Sequence, residues 1–375
     1  MRGRVDRQRS MWFSMDLEDF VPATHPLRAI KKRADAELAR LSPVFTKGYS
    51  QVGRKSVPPE TLIKATLLQA LFSIRSDRQL CEQINYNLLF RWFLDMQPDE
   101  AVFAPTTFTK NRERFAEHGF MEKFFNGTVS QGICEEAISH DHFSVDGTLI
   151  ESWASLKSFR PKDEEDDDDR DSNGWADFKG TKRSNKTHAS KTDPEARLLR
   201  KSLGEVAKLS HSLHTLVDNR NGLIVDLEVD EASGTAERSA AKAMLKRIRK
   251  RHGLRPKTLA ADKGYDDGQF LHEVEADFGI VPHVPIRKGR IKSTDEKGEA
   301  RRRARRRART VGFKISERKR RLVEKPFGWL KEIGGLRRTR FVGRWKTRLF
   351  ACASAAAYNL LRLAKLSAAP RLVAA

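Results

Sequence analysis

The chain predicts an α/β fold for its second part, a mixed sheet with flanking helices, preceded by an all-helical first part. Three observations lead there. Through the first 140 residues apolar positions recur at helical spacing, as in "SVPPETLIKATLLQALFSI". From residue 141 the period becomes two, beginning with "HFSVDGTLIES" at 142–152, and strands then alternate with helices. At 375 residues the chain is long enough for two domains.

In the helical part, Pro58 and Pro59 start a run whose Leu62, Ile63, Leu67, Leu71 and Ile74 form one apolar face. Ser76 and Gln79 are spaced as a capping box for the next helix. "PTTFTKNRERFAEHGF" (105–120) is a further helix carrying Lys110, Arg112 and Arg114. Residues 46–140 read equally as a compact DNA-binding module or as a helical scaffold with solvated charges, behind an N-terminal arm of residues 1–45.

In the second part, two strands flank the turn residues Asn219–Gly222. "TAERSAAKAMLKRIRKRHG" is a helix stopped at Gly253, "KTLAAD" (257–262) a strand, "GQFLHEVEADFG" a helix and "IVPHVPI" a strand. "ISERKRRLVEKPFGWLKEIGG" reads as one helix to Gly334. The order β, β, β, α, β, α, β, α describes an antiparallel meander running into βαβ crossovers over residues 141–366. Residues 155–206 are too long for an ordinary connection and read as an insertion.

The formal net charge is +22 and the pI about 10.1, which points to a polyanionic partner, nucleic acid before anionic membrane. Between Arg287 and Arg348 stand 25 Lys/Arg against 6 Asp/Glu, with an Arg-rich basic tract at 287–314. The opposite extreme is "DEEDDDDRD" at 163–171; either run is compatible with a merely solvated segment. The longest charge-free run, Leu349–Leu361, is too short for a membrane span and predicts a buried helix. Arg2, Arg4 and Arg7 precede an acidic stretch instead of an apolar one, so no signal peptide is expected. Cys81, Cys134 and Cys352 are scattered, which suits a reducing cytosol and argues against a zinc site.

Asp146 closes the opening strand, followed by Gly147, and Asp262 closes a later one. An Asp-Gly turn is one reading of the first. The other is that both carboxylates gather in the crevice beyond the strand ends, where each raises the other's pKa unless a cation such as Mg²⁺ intervenes. A third ligand is then expected from a helix. On a continuous helix Arg320, Glu324 and Lys331 share one narrow arc, away from Leu322, Val323, Leu330 and Ile333. A solvated ion-pair ladder is the plainer account of that arc.

"VDGT", "ADKGYD" and "RLVEKPFGWLK" resemble the three catalytic blocks of bacterial insertion-sequence DDE transposases, in particular the insertion-sequence-five group. The likeness extends from about Gly48 to Leu366 and includes "KRSNKTHASKTDPEARL" and "FGWLKEIGGLRRTR". It implies an RNase H-like catalytic domain with Asp146, Asp262 and Glu324 as the catalytic and metal-binding triad. Two Mg²⁺ ions, or Mn²⁺ in their place, would serve phosphoryl transfer, about 4 Å apart. The group's glutamate signature is matched at Arg320, Glu324 and Lys331, while Glu317 stands where a tyrosine is usual. Arg320, Lys331, Arg337, Arg338 and Arg340 are the implied DNA contacts. The implied activity is strand cleavage at the element ends and transfer of the 3′-hydroxyl into target DNA. The implied partners are double-stranded terminal inverted repeats, target DNA and a second or further copy of the chain, in the bacterial cytoplasm at the nucleoid, with no membrane. His188 reads as a polar loop residue and Trp329 as core; Trp153 stays open between core and base stacking. A metal-dependent nuclease or resolvase that cuts without joining, and a non-catalytic DNA-binding regulator, are the rival classes.

Overall fold

The computed structural model describes residues 16–50, 52–53, 55–162, 184–200, 206–233 and 236–368. The acidic run at 163–171, most of the inserted segment before residue 184, and the first 15 residues of the expected arm lie outside the described residues. The first part comprises helices α1 (Leu17–Phe20), α2 (Pro26–Gly48), α3 (Pro59–Leu71), α4 (Asp77–Tyr86), α5 (Leu88–Phe93), α6 (Thr106–Glu117) and α7 (Phe120–Cys134). Strands β1 (His142–Glu151), β2 (Phe159–Pro161), β3 (His188–Ser190), β4 (Arg197–Leu199), β5 (Lys208–Asp218) and β6 (Ile224–Glu231) follow. Then come α8 (Ala236–His252), β7 (Thr258–Ala260), α9 (Gly268–Ala276), β8 (Val281–His283), α10 (Glu296–Arg307), α11 (Val311–Arg320), α12 (Glu324–Glu332) and α13 (Arg344–Ala368).

The boundary expected at residue 45 falls inside α2. This helix buries Leu27, Ile30, Ala34, Leu38, Leu41 and Phe45, spaced three or four apart, so it belongs to the helical body and not to an arm. α3 was expected to bury one face and is buried nearly all round, because α2 and α13 both pack on it. Its Lys64, 3% exposed, is tolerated there by ion pairs with Asp35 at 3.0 Å and with Asp95. The capping box forms in part: Gln79 N donates to Ser76 Oγ at 3.1 Å, and Gln79 Oε1 turns back to Arg75 N at 3.3 Å. On α6, two of the three cations offered to DNA serve packing instead. Arg112 pairs with Asp77 and lies 4.7 Å from the Phe341 ring, and Arg114 lies 4.4 Å from the Tyr49 ring.

The sheet is mixed, as the residue pattern predicts. β1 and β5 are antiparallel with Asp146 opposite Thr215 and Gly147 opposite His214, and β6 continues the meander along the far edge of β5. β7 joins β1 in parallel from His142↔Thr258 to Ser144↔Ala260, and β8 joins β7 in parallel. β5 is buried along its length apart from Lys208, as befits a central strand. β6 buries Ile224, Val225, Asp226 and Leu227 consecutively, so both its faces are covered; α8 and α13 pack on it. From the inserted segment, β4 pairs with the start of β5, and β2 pairs with β3 in a separate two-stranded sheet.

Within the basic tract α10 packs on α9 and part of its charge is taken up by acids, while Arg290, Arg306, Arg309 and Lys314 stay exposed. Arg301 of α10 holds Asp266 with two hydrogen bonds of 2.8 and 2.9 Å, and Arg303 and Arg307 both pair with Glu275. Arg302 and Arg306 pair along the helix with Glu299. The Asp266 side chain is fully buried, and its Oδ2 also accepts from Arg287 N at 2.8 Å. Arg301→Ala should therefore cost about 3 kcal/mol by stranding a buried carboxylate. Arg302→Ala, at an exposed pair, should cost under about 1 kcal/mol. Urea denaturation of the two variants checks the difference.

Candidate active site

Asp146 lies two residues beyond Ser144, the last residue of β1 paired with β7, and Asp262 lies two residues beyond the end of β7. Both therefore stand past the end of the parallel ladder, although Asp146 does not close its strand as expected: β1 runs on to Glu151, paired with β5. Each carboxylate is fixed by its own backbone. Asp146 Oδ1 accepts from Gly147 N at 2.8 Å, and Asp262 Oδ1 accepts from Gly264 N at 2.8 Å, capping the turn Lys263–Tyr265. Burial pushes the Asp146 carboxyl up to about 6, and the negative charges of Asp262 and Glu324 add to the rise. The Gly147 N–H and the Arg320 guanidinium oppose it.

The helix expected to run unbroken to Gly334 is interrupted. Arg321–Val323 form a 3₁₀ turn between α11 and α12. Pro326 is the cause: it has no N–H to offer the Leu322 carbonyl, and its ring crowds that carbonyl. The arc drawn through Arg320, Glu324 and Lys331 on one continuous helix thus does not hold as drawn. The turn nevertheless packs on β1, and this carries Arg320 and Glu324 to the first aspartate. Arg320 Nη1 lies 3.7 Å from Asp146 Oδ2, while Glu324 is exposed at the first residue of α12. Glu317, at the usual tyrosine position, is exposed on α11. Among the described residues, no three His, Cys, Asp or Glu side chains are arranged so that they could hold a metal ion.

The remaining cations divide. Lys331 is half-buried in the last turn of α12. Arg337 is exposed and pairs with Glu332. Arg338 donates to the Trp153 carbonyl at 3.0 Å and lies 4.7 Å from the ring of Trp153, which is 58% exposed. That ring is open to solvent, whereas Trp329 packs 5.5 Å from Tyr358. His188 stacks on Phe159 between β2 and β3. Arg340 corrects the sequence reading. It turns inward, donates to the Arg75 carbonyl at 2.7 Å and to Asp77 at 3.1 Å, and lies 4.7 and 5.1 Å from the rings of Phe341 and Phe350. Burial lowers its pKa to about 10. It joins the α3–α4 corner to the segment before α13, so its guanidinium is not presented to DNA.

Three residues that sequence reasoning passed over surround the aspartates. Glu237, in the first turn of α8, has its pKa raised by burial, by Asp262 and by Asp146. Tyr265 is fully buried, with its pKa raised by burial and by the charges of Glu237, Asp146 and Asp262. His214 is buried on β5 beside Gly147, and burial pushes it down to about 4. Glu237 reads in sequence as an ordinary helix-start acid. Tyr265 was visible only as part of "ADKGYD", and His214 as one polar residue in a strand.

Arg340→Ala should lower the unfolding free energy by about 2–3 kcal/mol, since Asp77 and Gln69 lose a buried partner. Arg337→Ala should change it by under about 0.5 kcal/mol. Urea melts of the two proteins make the comparison.

None of the curated proteins compared with the chain matches it. Two family models do: a transposase domain (DUF772) over residues 15–114 and a transposase DDE domain over residues 207–360. The first span takes in α2, in keeping with its burial in the helical body. The second contains Asp262 and Glu324 and implies the RNase H-like fold that the mixed sheet displays, while Asp146 lies outside both spans. The chain belongs to the DDE transposases of insertion sequences, enzymes that cut and join DNA by phosphoryl transfer.

Proposed function

We propose that this transposase, of the insertion-sequence-five group, cuts strands at the inverted-repeat ends of its element. It then joins the freed 3′-hydroxyls to target DNA, with Asp146, Asp262 and Glu324 as its catalytic carboxylates. The observation that carries this reading is the electrostatic convergence on Asp146, whose carboxyl feels both Asp262 and Glu324 from separate elements. Transposases of the DDE class depend on a divalent cation, and the residues fit one by their chemistry. They offer hard carboxylate oxygens at a place where like charges repel, and Arg320 approaches Asp146 as a counter-charge. Asp146 and Asp262 would hold the cation, with Glu324 completing the set; Mg²⁺ is the ion proposed, and Mn²⁺ its substitute. Bound there, the cation supplies charge stabilisation for an in-line displacement at phosphorus.

The chain's own residues do the rest. Arg320 lies close enough to Asp146 to hold a phosphate oxygen beside the carboxylates. Lys331, Arg337 and Arg338 would contact backbone phosphates further along the strand, fixing its register without reading its sequence. Arg338 and the exposed face of Trp153 form one continuous surface for that strand. Two element ends are brought together by two or more copies of the chain.

Asp146→Asn, Asp262→Asn and Glu324→Gln should each slow cleavage of an end-containing duplex by about a thousand-fold, several kcal/mol of lost charge stabilisation. Each should leave duplex affinity nearly unchanged, as read by gel shift. EDTA should stop cleavage by the wild type and Mg²⁺ should restore it. A variant that still cuts at the wild-type rate loses its place in the centre.

A further inference from the structure

The turn between β5 and β6, helix α12 and the last turns of α13 border a cleft of about 250 Å³. Its cations are Arg220, Lys325, Arg362 and Lys365, its aromatic side chains are Trp329 and Tyr358, and no carboxylate lines it. At 100° per residue around α12, Glu324 and Lys331 lie roughly 20° apart. Lys325 and Trp329 lie roughly 40° apart, about a third of a turn away. The cleft therefore faces a different side of the helix from the one that carries Glu324.

Solvated surface charge does not account for this arrangement. On α10, arginines that pack meet acids, as Arg301 meets Asp266 and Arg303 meets Glu275. In the cleft Arg220 has Asp141 at 3.4 Å, and among the described residues no acid pairs with Lys325, Arg362 or Lys365. Arg362 is nevertheless fixed in place, its Nε donating to the Asn221 carbonyl at 2.8 Å. The wall is fixed as well: the Tyr358 hydroxyl donates to the Gly222 carbonyl at 3.1 Å, and its ring packs against Trp329. Four like charges around one concavity repel one another, and a polyanion relieves that repulsion. Phosphates alone would need only the cations. An aromatic wall beside them suits an unpaired base, whose face is hidden by stacking in a duplex.

We propose that this cleft is a second nucleic-acid site, one that takes a short unpaired stretch of DNA. Its phosphates lie on Lys325, Lys365, Arg220 and Arg362, and a base rests against Trp329. Cutting a duplex leaves strand ends that unpair, and the cleft holds such an end apart from the strand at the carboxylates. The site stands independently of the roles given to Asp146, Asp262 and Glu324.

Fluorescence anisotropy on the full-length protein tests this, in EDTA so that nothing is cut. The probes are a labelled oligothymidine and a random-sequence duplex of the same length. The double variant Lys325→Ala, Lys365→Ala should bind the single strand about ten-fold more weakly at low salt. The slope of log affinity against log salt should become shallower by about 1.4, two phosphate contacts at about 0.7 each. Its duplex affinity should change by under about two-fold, since other cations hold the duplex. Both lysines are exposed, so the variant should melt with wild type. Trp329→Phe, which keeps every charge, should weaken the single strand about five-fold and leave the slope unchanged. Wild-type affinity for the single strand in the double variant overturns the proposal. Equal losses on single strand and duplex make the lysines general phosphate contacts, which also overturns it. Thymidine monophosphate should compete only weakly. Competition at the concentrations that suffice for the oligonucleotide would make the cleft a pocket for free nucleotides and overturn the strand.

Discussion

Strand β1 has a partner on both edges only as far as Ser144, because β7 supplies just three residues to the parallel ladder. Its second edge is met again at Glu151, whose N–H and C=O bond to Arg337 and Thr339. Asp146 falls in the interval, and so does the close approach of Glu237 to Gly147. A β7 longer by a few residues would pair with that stretch, carry Asp262 away from it and close the crevice. The short strand thus creates the one place where carboxylates from β1, from the turn after β7, and from α8 and α12 act on one another. The cost is visible at Asp146, lifted to about 6, and the nearby guanidinium of Arg320 offsets only part of it.

Charge is distributed by packing more than by composition. The net charge of +22 suits an enzyme whose substrate is a polyanion. Yet on α10, where arginines are densest, Arg301, Arg303 and Arg307 are turned toward Asp266 and Glu275 and tie that helix to α9. The same holds at the joint between the two parts of the chain, where Arg112 and Arg340 share Asp77. The cations beside the carboxylates are fewer: Arg320 ends α11, and Lys331, Arg337 and Arg338 follow the α11–α12 break.

That joint also explains why the helical part and the sheet form one body. α13 packs on α2, α3 and α7 as well as on β6. Its run of buried Ala351, Ala353, Ala355, Ala356 and Ala357 lets neighbouring elements approach closely. Asn359, fully buried, accepts from Ile224 N at 3.0 Å and donates to Ile224 O at 2.8 Å, so the helix is hydrogen-bonded to the edge strand. A helical module cut free of α13 would expose the face of α3 that this helix covers.

Much of this was determined by the sequence alone. The change from helical period to strand alternation near residue 141, the hairpin around Asn219–Gly222, the stop at Gly253 and the buried helix at Leu349–Leu361 are local signals. Each rests on backbone preference and on the spacing of apolar residues, which a single stretch of chain carries. Asp262, just past β7, was legible for the same reason, whereas Asp146, expected to close its strand, stands in the middle of β1. Tertiary structure decided the rest. Arg340 and, on α10, Arg301, Arg303 and Arg307 look in sequence like any other exposed cations, and only packing against distant acids turns them inward. Pro326 was in plain view, but that the broken helix still delivers Arg320 and Glu324 to Asp146 depends on how the 3₁₀ turn seats on β1. Glu237 and His214 approach the same glycine from residues 90 and 67 positions away in the chain. No local pattern records such a meeting, because it is set by the pairing of β5 with β1 and the seating of α8 on the sheet.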